Sequence, residues 1–265
     1  MEFEAFLREA APLLGLQWRV FQRRGTKRRI ERRIIEAGES DLGGYLRKVK
    51  EDPEEQRHLS QILTVTISRF FRDRAVFEMI ETTVIPSLLE KRGEKGVRIW
   101  SIGCASGEEP YTLSLLWKEK FVERWPHLRF AVKATDMGEG LLQRAKEGRY
   151  KRSSLAEVPN DILEKYFKRE GDSYILDKAI RESVEFSRHD VIREGPFSGM
   201  DMVLCRNLAF TYFSKECQAD VLQKIASSLK EGGYLVIGRD ESVPLTYPTL
   251  FTPVFQEKKI YQKFA

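Results

Sequence analysis

The chain has 265 residues, 42% of them hydrophobic, and a formal net charge of +5 at pH 7. This composition is ordinary for a soluble globular protein with one large domain or two modest ones. No run approaches the roughly 18 apolar residues of a membrane span, and the first residues carry acids where a secretory signal carries positive charge. We therefore expect a cytoplasmic protein without stable membrane insertion. The cysteines Cys104, Cys205 and Cys217 are widely spaced and form no CxxC pair, so neither disulfides nor a metal site is expected.

Residues 1–95 have a helical pattern, in which short amphipathic units are separated by Ser, Gly and Pro signals. We predict an N-terminal all-helical domain followed by a charged linker that ends near Gly96. Within it, residues 19–33 are rich in Arg and Lys and contain a single acid, Glu31. This basic helix suggests an acidic or polyanionic partner. The alternative is a solvated helix face with its isoleucines turned inward.

Residues 96–265 alternate between strands and helices. Apolar runs predict strands at 97–103, 128–136, 201–207, 232–238 and 257–264, and helical patterns predict helices at 108–125, 139–150 and 215–230. Strands separated by helices of this length predict an α/β fold with a doubly wound, Rossmann-like parallel sheet.

Residues 151–190 interrupt this alternation. They contain one helical pattern at 159–170, followed within 172–190 by two short strand-like runs that flank charged residues. We predict that the two runs pair as a β-hairpin and that the segment forms a small inserted β-subdomain, suited to gripping a substrate. A plain insertion without such a role is the alternative.

The clearest functional pattern follows the first predicted strand, where Gly103 and Gly107 bound a turn of small residues. Ligands of open parallel sheets bind beyond the carboxyl ends of the strands, so the ligand is expected here. A dinucleotide-binding turn needs glycine where Ala105 stands, and Glu108 and Glu109 would repel a phosphate. A cationic cofactor such as S-adenosylmethionine therefore fits this turn better than NAD. Alternatively, the two glutamates only complement the helix dipole.

Two further strand ends carry polar residues. Asp136 ends the second predicted strand, where a carboxylate commonly accepts hydrogen bonds from ribose hydroxyls. Its distance from the glycine turn exceeds the usual dinucleotide spacing of about 20 residues. Arg206 and Asn207 directly follow the apolar run Met202–Cys205, at the carboxyl end of another predicted strand. Together these features favour a methyltransferase.

Three separated motifs, TISRFFRD at 66–73, GCASGEEPYTL at 103–113 and MVLCRNLAFTYF at 202–213, resemble those of the CheR-type chemotaxis-receptor methyltransferases. Members of that family esterify glutamate side chains of chemoreceptors with S-adenosylmethionine. The resemblance extends over nearly the whole chain, and it implies a helical N-terminal domain, a methyltransferase domain at 96–265 and a β-subdomain inserted at 151–190. It also implies that the basic helix guides an acidic receptor segment.

The resemblance and the turn together give the candidate site residues. Those expected to bind the cofactor are Thr66, Ser68, Arg72, Gly103, Gly107, Glu108, Glu109, Asp136, Asp190, Val191, Asn207 and Leu208. The resemblance implies that Glu108 or Glu109 binds the methionine amino group, that Asp136 binds the ribose and that Asp190 binds the adenine. The candidates for the catalytic side are Arg72, Arg206, Asn207 and Tyr212. The two arginines are expected to orient the acceptor carboxylate.

Two departures from the family pattern lie near the acceptor side. The link from Asn207 to Tyr212 holds an extra residue, and Gly238–Ser242 replaces the more usual Gly-His-Ser-Glu. Other readings therefore stay open: a methyltransferase of the same fold that acts on another protein or a small molecule, or a binding module that transfers nothing. A nucleic-acid partner is disfavoured because the basic helix has little aromatic interleaving.

Overall fold

The computed structural model describes residues 1–64, 68–244 and 250–264. A seven-stranded sheet runs through its centre, in the order β6-β2-β1-β7-β8-β10-β9. Its strands are β1 (Val97–Ile102), β2 (Phe130–Asp136), β6 (Val184–Arg188), β7 (Met200–Cys205), β8 (Leu229–Ile237), β9 (Phe251–Phe255) and β10 (Ile260–Lys263). The first five strands in the order pair in parallel, and β10 and β9 complete the edge in antiparallel pairing. The predicted doubly wound α/β sheet is confirmed.

The central strands β1 and β7 bury both of their faces. In β1, Val97 and Ile99 belong to one hydrophobic core, whereas Trp100 and Ile102 belong to the core on the opposite face. This separation follows from the two-residue period of a strand. Apolar residues at nearly every position of β1 and β7 are therefore required, and these runs made both strands recognisable in the sequence.

Four N-terminal helices and the last helix cover one face of the sheet. They are α1 (Phe3–Leu13), α2 (Arg24–Glu36), α3 (Leu42–Glu51), α4 (Pro53–Leu63) and α12 (Lys215–Ser228). Asp41 caps α3 by accepting hydrogen bonds from the backbone N–H groups of Gly43 and Gly44, and Asp52 caps α4, which begins with Pro53. The cap at Asp52 explains why α4 can begin directly after the end of α3.

The opposite face is covered by helices from both sides of residue 95. They are α5 (Arg74–Met79), α6 (Ile85–Arg92), α7 (Glu108–Lys120) and α8 (Glu139–Glu147), with a π-helical turn at Ile80–Val84 between the first two. The domain boundary predicted near residue 95 therefore does not coincide with the packing. The helices α5 and α6 share their core with β1 rather than with α1 to α4.

The inserted lobe is a three-stranded antiparallel sheet in the order β3-β5-β4, with β3 at Arg149–Lys151, β4 at Phe167–Glu170 and β5 at Ser173–Leu176. Helix α9 (Asn160–Tyr166) precedes β4, and α10 (Lys178–Glu182) follows β5. The predicted hairpin between the two strand-like runs of 172–190 is wrong. The first run, β5, pairs with β3 and β4, whereas the second, β6, joins the edge of the large sheet beside β2. The role of the lobe in gripping a substrate stays a prediction.

No helix among the described residues is both long and apolar enough to cross a lipid bilayer.

Candidate functional site

The turn after β1 is held against the end of β2. The backbone N–H groups of Gly103 and Cys104 both donate to the Thr135 carbonyl, at 2.8 and 3.0 Å. Gly103, Ala105 and Gly107 have φ angles of 70°, 49° and 89°, in the left-handed region where glycine is least strained. The turn lies between β1 and its neighbours β2 and β7, where the strand order reverses. The sheet therefore places it at the expected ligand-binding edge.

Asp136 connects this turn to the end of β2. Its carboxylate accepts hydrogen bonds from the backbone N–H groups of Ala105, at 2.9 Å, and Gly138, at 2.8 Å. Burial raises the pKa of this carboxyl, although the backbone N–H groups work in the opposite direction. The side chain thus fixes the shape of the turn, and its oxygens keep lone pairs for a ligand hydroxyl.

A cavity of about 450 Å³ opens at this edge. Its lining includes eleven of the predicted site residues: Ser68, Arg72, Gly103, Glu109, Asp136, Asp190, Val191, Arg206, Asn207, Leu208 and Tyr212. Gly107 and Glu108 are not part of the lining, and Thr66 lies outside the described residues. Helix α4 contributes Ser60, Gln61 and Thr64 to the wall, so the N-terminal helices complete the cavity.

The two adjacent glutamates of α7 have different environments. Glu109 lines the cavity, where its carboxylate accepts hydrogen bonds from Ser101 Oγ at 2.8 Å and from Arg206 Nη1 at 3.2 Å. Glu108 is 3% exposed, and its Oε2 has no hydrogen-bond partner among the described residues. Burial raises the pKa of Glu108, against a hydrogen bond from Ser68 that lowers it. The geometry favours Glu109 over Glu108 for direct contact with a ligand.

Arg206 is a buried residue whose guanidinium bridges neighbouring groups of the protein. Its side chain is 3% exposed, and Nη2 donates to Asp73 Oδ2 at 2.7 Å and to the Arg72 carbonyl at 3.0 Å. The other side of the guanidinium reaches Glu109. Phe71 and Asp73 have φ angles of 55° and 63°, so the segment that Arg206 holds is strained. The role of Arg206 in orienting an acceptor carboxylate stays a prediction, and two carboxylates of the protein already pair with its guanidinium.

The segment 207–213 forms a cavity wall that packs against the glycine turn. Leu208 packs so tightly against this turn that a Cβ on Gly103 would lie 2.6 Å from Leu208 Cδ2. Asn207 has a φ of 56°, and its backbone N–H donates to Glu241 Oε2 at 2.8 Å. The Tyr212 ring stacks on Phe21, with centroids 5.8 Å apart. The N-terminal segment thus supports this wall from behind.

The loop at 190–194 forms a third wall. Its conformation is fixed by Asp190, whose Oδ1 accepts hydrogen bonds from the backbone N–H groups of Ile192, at 3.0 Å, and Arg193, at 3.2 Å. Lys224 of α12 donates to three carbonyls of the loop, those of Val191, Ile192 and Glu194, at 3.0, 2.6 and 2.9 Å. The contact of Asp190 with adenine stays a prediction, and the carboxylate also caps its own loop.

The family described as CheR methyltransferase, SAM binding domain, matches residues 66–260. The chain belongs to the CheR methyltransferase family. The resemblance noted in the three motifs is confirmed, and so is the prediction that the cofactor is S-adenosylmethionine.

Several relatives match this CheR methyltransferase over most of its length. A chemotaxis protein methyltransferase of Listeria monocytogenes is 32% identical, with 87% of this chain and 86% of the relative covered. Chemotaxis protein methyltransferase 1 of Pseudomonas aeruginosa is also 32% identical, with 81% and 80% covered. A 104.1 kDa Rhodobacter capsulatus protein is 34% identical, but the chain covers only 23% of its length. A SAM-dependent methyltransferase structure from Methanosarcina mazei is 14% identical and aligns with a TM-score of 0.34, covering 67% of this chain and 77% of that one.

The donor groups of the cavity fit S-adenosylmethionine. Glu109 and Asp136 place two carboxylates on the cavity wall at one corner, and the Arg206 guanidinium beside them is shared between Glu109 and Asp73. The carboxylates of Glu109, Asp136 and Asp73 therefore outnumber the single guanidinium at this corner, and Glu108 is buried next to it. A ligand with an ammonium and a sulfonium is stabilised by such a corner, whereas a pyrophosphate is not. Glu109 and Asp136 are the cavity residues of this CheR methyltransferase best placed to hold it.

Sequence reasoning missed several residues of the site. Glu241 and Asp73 make short contacts with the cavity wall, yet both are distant from their partners in sequence. The pattern of Gly238 and Glu241 after the fourth predicted strand was noticed only as a departure from the family. A buried acid three residues after a strand-ending glycine was the signal that could have found Glu241. The contact of Lys224 with the 190–194 loop left no local pattern.

Proposed function

We propose that this CheR methyltransferase transfers a methyl group from S-adenosylmethionine to glutamate carboxylates of a chemoreceptor-like protein, giving methyl esters. Its relatives from Listeria monocytogenes and Pseudomonas aeruginosa are chemotaxis protein methyltransferases, which supports a substrate within chemotaxis. The observation that carries the proposal is the charge arrangement of the cavity. Carboxylates surround the glycine turn, whereas Arg69, Arg72 and Arg144 line the same cavity elsewhere. Arg69 and Arg144 are exposed, so they lie where the cavity meets solvent and an acidic acceptor would enter.

The chemistry requires little acid–base catalysis from the chain. S-Adenosylmethionine, when bound, supplies an electrophilic methyl group on a sulfonium sulfur. A glutamate acceptor has a pKa of about 4.3 in water and is already ionised at neutral pH, so it needs no general base. Cys104 is the thiol that lines the cavity, and burial raises its pKa well above the ordinary value. It stays protonated, which agrees with a reaction that uses no basic side chain.

The task of the protein is then to position the two reactants and exclude water. Arg72 is the candidate for orienting the acceptor carboxylate, because it lines the cavity beside the acid corner and carries the planar donor fork that matches a carboxylate. Helix α4 covers the cavity with Ser60, Gln61 and Thr64. Holding reactants in line can lower a barrier by about 7 to 11 kcal/mol in favourable cases.

The basic helix α2 is the proposed docking surface for the receptor. Lys27, Arg28 and Arg32 are exposed, whereas Ile30 and Ile34 are buried beneath them. Ile30 and Ile34 therefore turn inward as the alternative predicts, whereas Ile35, which it also placed inside, is 77% exposed. The exposed charges stay available to an acidic helix. Arg33 is anchored, because its guanidinium makes two hydrogen bonds to the buried Glu55, at 2.8 and 2.7 Å. This anchor fixes α2 against α4, and hence against the cavity wall.

The decisive experiment incubates the enzyme with isotopically labelled S-adenosylmethionine and a receptor cytoplasmic fragment. We expect label on glutamate side chains by mass spectrometry, released by mild base as methyl esters do. Arg72→Lys should lower the rate, since it keeps the charge but loses the fork, whereas Arg74→Lys should not, because Arg74 lies outside the cavity and pairs with Glu78 at the surface. Base-stable label, or label on other side chains, would contradict the proposal.

A second candidate is a methyltransferase of the same fold that acts on another protein or a small molecule. The altered segment after Asn207 favours it, because Thr211, within the lengthened link, binds Glu241 by a 2.6 Å hydrogen bond. The lengthened link therefore contributes a contact of its own to the wall that faces the proposed acceptor side. Label transferred to a small molecule, but not to the receptor fragment, would establish this candidate.

The cytoplasmic location stays a prediction.

A further inference from the structure

Glu241 lies in the loop after β8 and is only 3% exposed. Its carboxylate receives three short hydrogen bonds. Oε2 accepts from the backbone N–H groups of Gly238, at 2.6 Å, and Asn207, at 2.8 Å, whereas Oε1 accepts from Thr211 Oγ1, at 2.6 Å. Asn207 and Gly238 follow the carboxyl ends of β7 and β8, and Thr211 lies in the short helix Ala209–Tyr212, so a single side chain ties together the two strand ends and this helix.

The segment that Glu241 holds is the cavity wall 207–212. Asn207 and Leu208 line the cavity, and Leu208 packs directly against Gly103 of the cofactor-binding turn. Asn207 has a φ of 56°, a conformation that non-glycine residues rarely adopt unless neighbouring groups fix it. The hydrogen bond from its N–H to Glu241 is the contact at this residue that can fix it.

The backbone at Gly238 provides a second, independent observation. A Cβ at this position would lie 2.6 Å from Asn207 Nδ2 and 2.6 Å from Glu241 Oε2. The strand end therefore needs glycine so that the amide of Asn207 and the carboxylate of Glu241 can come this close. Gly238 and Glu241 therefore both contribute to the close packing around Asn207.

We propose that Glu241 is a positioning residue for cofactor binding, which sets the wall 207–212 through the Asn207 N–H and the Thr211 hydroxyl. It does not line the cavity itself, so it acts through these two residues. Two backbone N–H groups share Oε2, so that position requires an acceptor, whereas the Thr211 hydroxyl at Oε1 can donate or accept. A glutamine can keep the acceptor at the Oε2 position, but it removes the negative charge that strengthens all three hydrogen bonds and places an NH₂ against Thr211. This inference concerns the cofactor and stands whichever acceptor the enzyme uses.

The test measures binding of S-adenosylhomocysteine by calorimetry and thermal unfolding by circular dichroism, on the full chain. We expect Glu241→Gln to weaken binding by about tenfold, the loss typical of a hydrogen bond to a charged group. Thr211→Val should weaken binding by about threefold, because it removes one of the three hydrogen bonds. Thr211→Ser, which keeps the hydroxyl, should bind like the parent.

The control for a merely structural role is Lys230→Met. Lys230 pairs with Asp201, which is 0% exposed and lies near the other end of β7, at 2.9 and 3.0 Å. This variant should lose stability and keep the parental affinity. The proposal is overturned if Glu241→Gln binds within twofold of the parent, or if Lys230→Met weakens binding as much. If Glu241→Gln does not unfold cooperatively, the comparison of Thr211→Ser with Thr211→Val tests the proposal instead. Equal affinities of these two variants for S-adenosylhomocysteine would overturn it.

Discussion

Replacing Asp136 with alanine should weaken cofactor binding through two separable effects. The carboxylate is the group at the end of β2 best placed to accept hydrogen bonds from the ribose, and a hydrogen bond to a charged group is worth about 1.5 to 3 kcal/mol. Its loss corresponds to a roughly 10- to 150-fold higher dissociation constant. The same carboxylate also holds Ala105 N–H and Gly138 N–H, at 2.9 and 2.8 Å. Leaving each of these unpaired should cost about 1 to 3 kcal/mol of folding stability.

Calorimetric titration with S-adenosylhomocysteine measures the first effect, and thermal unfolding without ligand measures the second. Asp201→Ala is the matched control, since Asp201 is also a buried carboxylate that accepts from a backbone N–H, that of Arg98, at 2.9 Å. It lies outside the cavity, so it should lower stability and leave affinity unchanged. If Asp136→Ala unfolds at a lower temperature but binds within threefold of the parent, the ribose is held elsewhere and the reasoning fails.

Three further predictions follow from the charges of the molecule. Burial raises the pKa of Glu108, as it does at Asp136, above the ordinary carboxyl value of about 4. Because the ionised carboxylates attract a cation, the affinity for S-adenosylmethionine should rise with pH above the ordinary carboxyl pKa. The affinity for S-adenosylhomocysteine, which lacks the sulfonium charge, should change less in the same calorimetric titration. The unfolding free energy of the free protein should fall over the same window, because folding makes these carboxyls harder to ionise. Charge reversal at Arg28 and Arg29 should lower kcat/KM for a receptor fragment by about tenfold at low salt and by less at high salt, because salt screens exposed charges. Cofactor affinity should not change. Equal kcat/KM values for the variant and the parent enzyme would contradict the docking role of α2. Arg33→Met should lower the unfolding free energy in urea by about 3 kcal/mol, since it leaves the buried Glu55 without its cation; a change below about 1 kcal/mol would show that the pair contributes little.

The sequence was sufficient for the strands that are apolar on both faces. β1 and β7 are mostly apolar on both faces, a pattern typical of strands in the middle of a parallel sheet. Of the two edge strands, β9 was missed, and β6 was recognised as a strand-like run but given the wrong partner. β6 alternates apolar and polar residues, and β9 contains Pro253, which is typical of an edge. The false hairpin in 172–190 has the same origin, because local patterns do not reveal that β6 pairs with β2, about 50 residues earlier.

The candidate site, too, could be predicted only in part. The glycine turn, its two glutamates and Asp136 were found because they are contiguous with predicted strand ends. What the sequence could not provide was the environment of each charge. Glu108 and Glu109 are neighbours in the chain, yet one is buried away from the cavity and the other lines it. Arg206 follows an apolar strand as a binding residue would, but its partner Asp73 comes from a segment 133 residues earlier. Long-range pairing of this kind has no local signature.

The position of Arg206 explains how acidic and basic regions coexist in one cavity. A cationic cofactor needs carboxylates, and an acidic acceptor needs arginines, so the two sets would neutralise each other if they paired directly. The buried guanidinium binds Glu109 on one side and Asp73 on the other. It thereby holds the strained segment that carries Arg72 against the cofactor turn, while Arg72 itself lines the cavity. Under the proposed function, this arrangement keeps carboxylates near the cationic donor and Arg72 near the anionic acceptor, and the pairing of Arg206 with Glu109 and Asp73 maintains it.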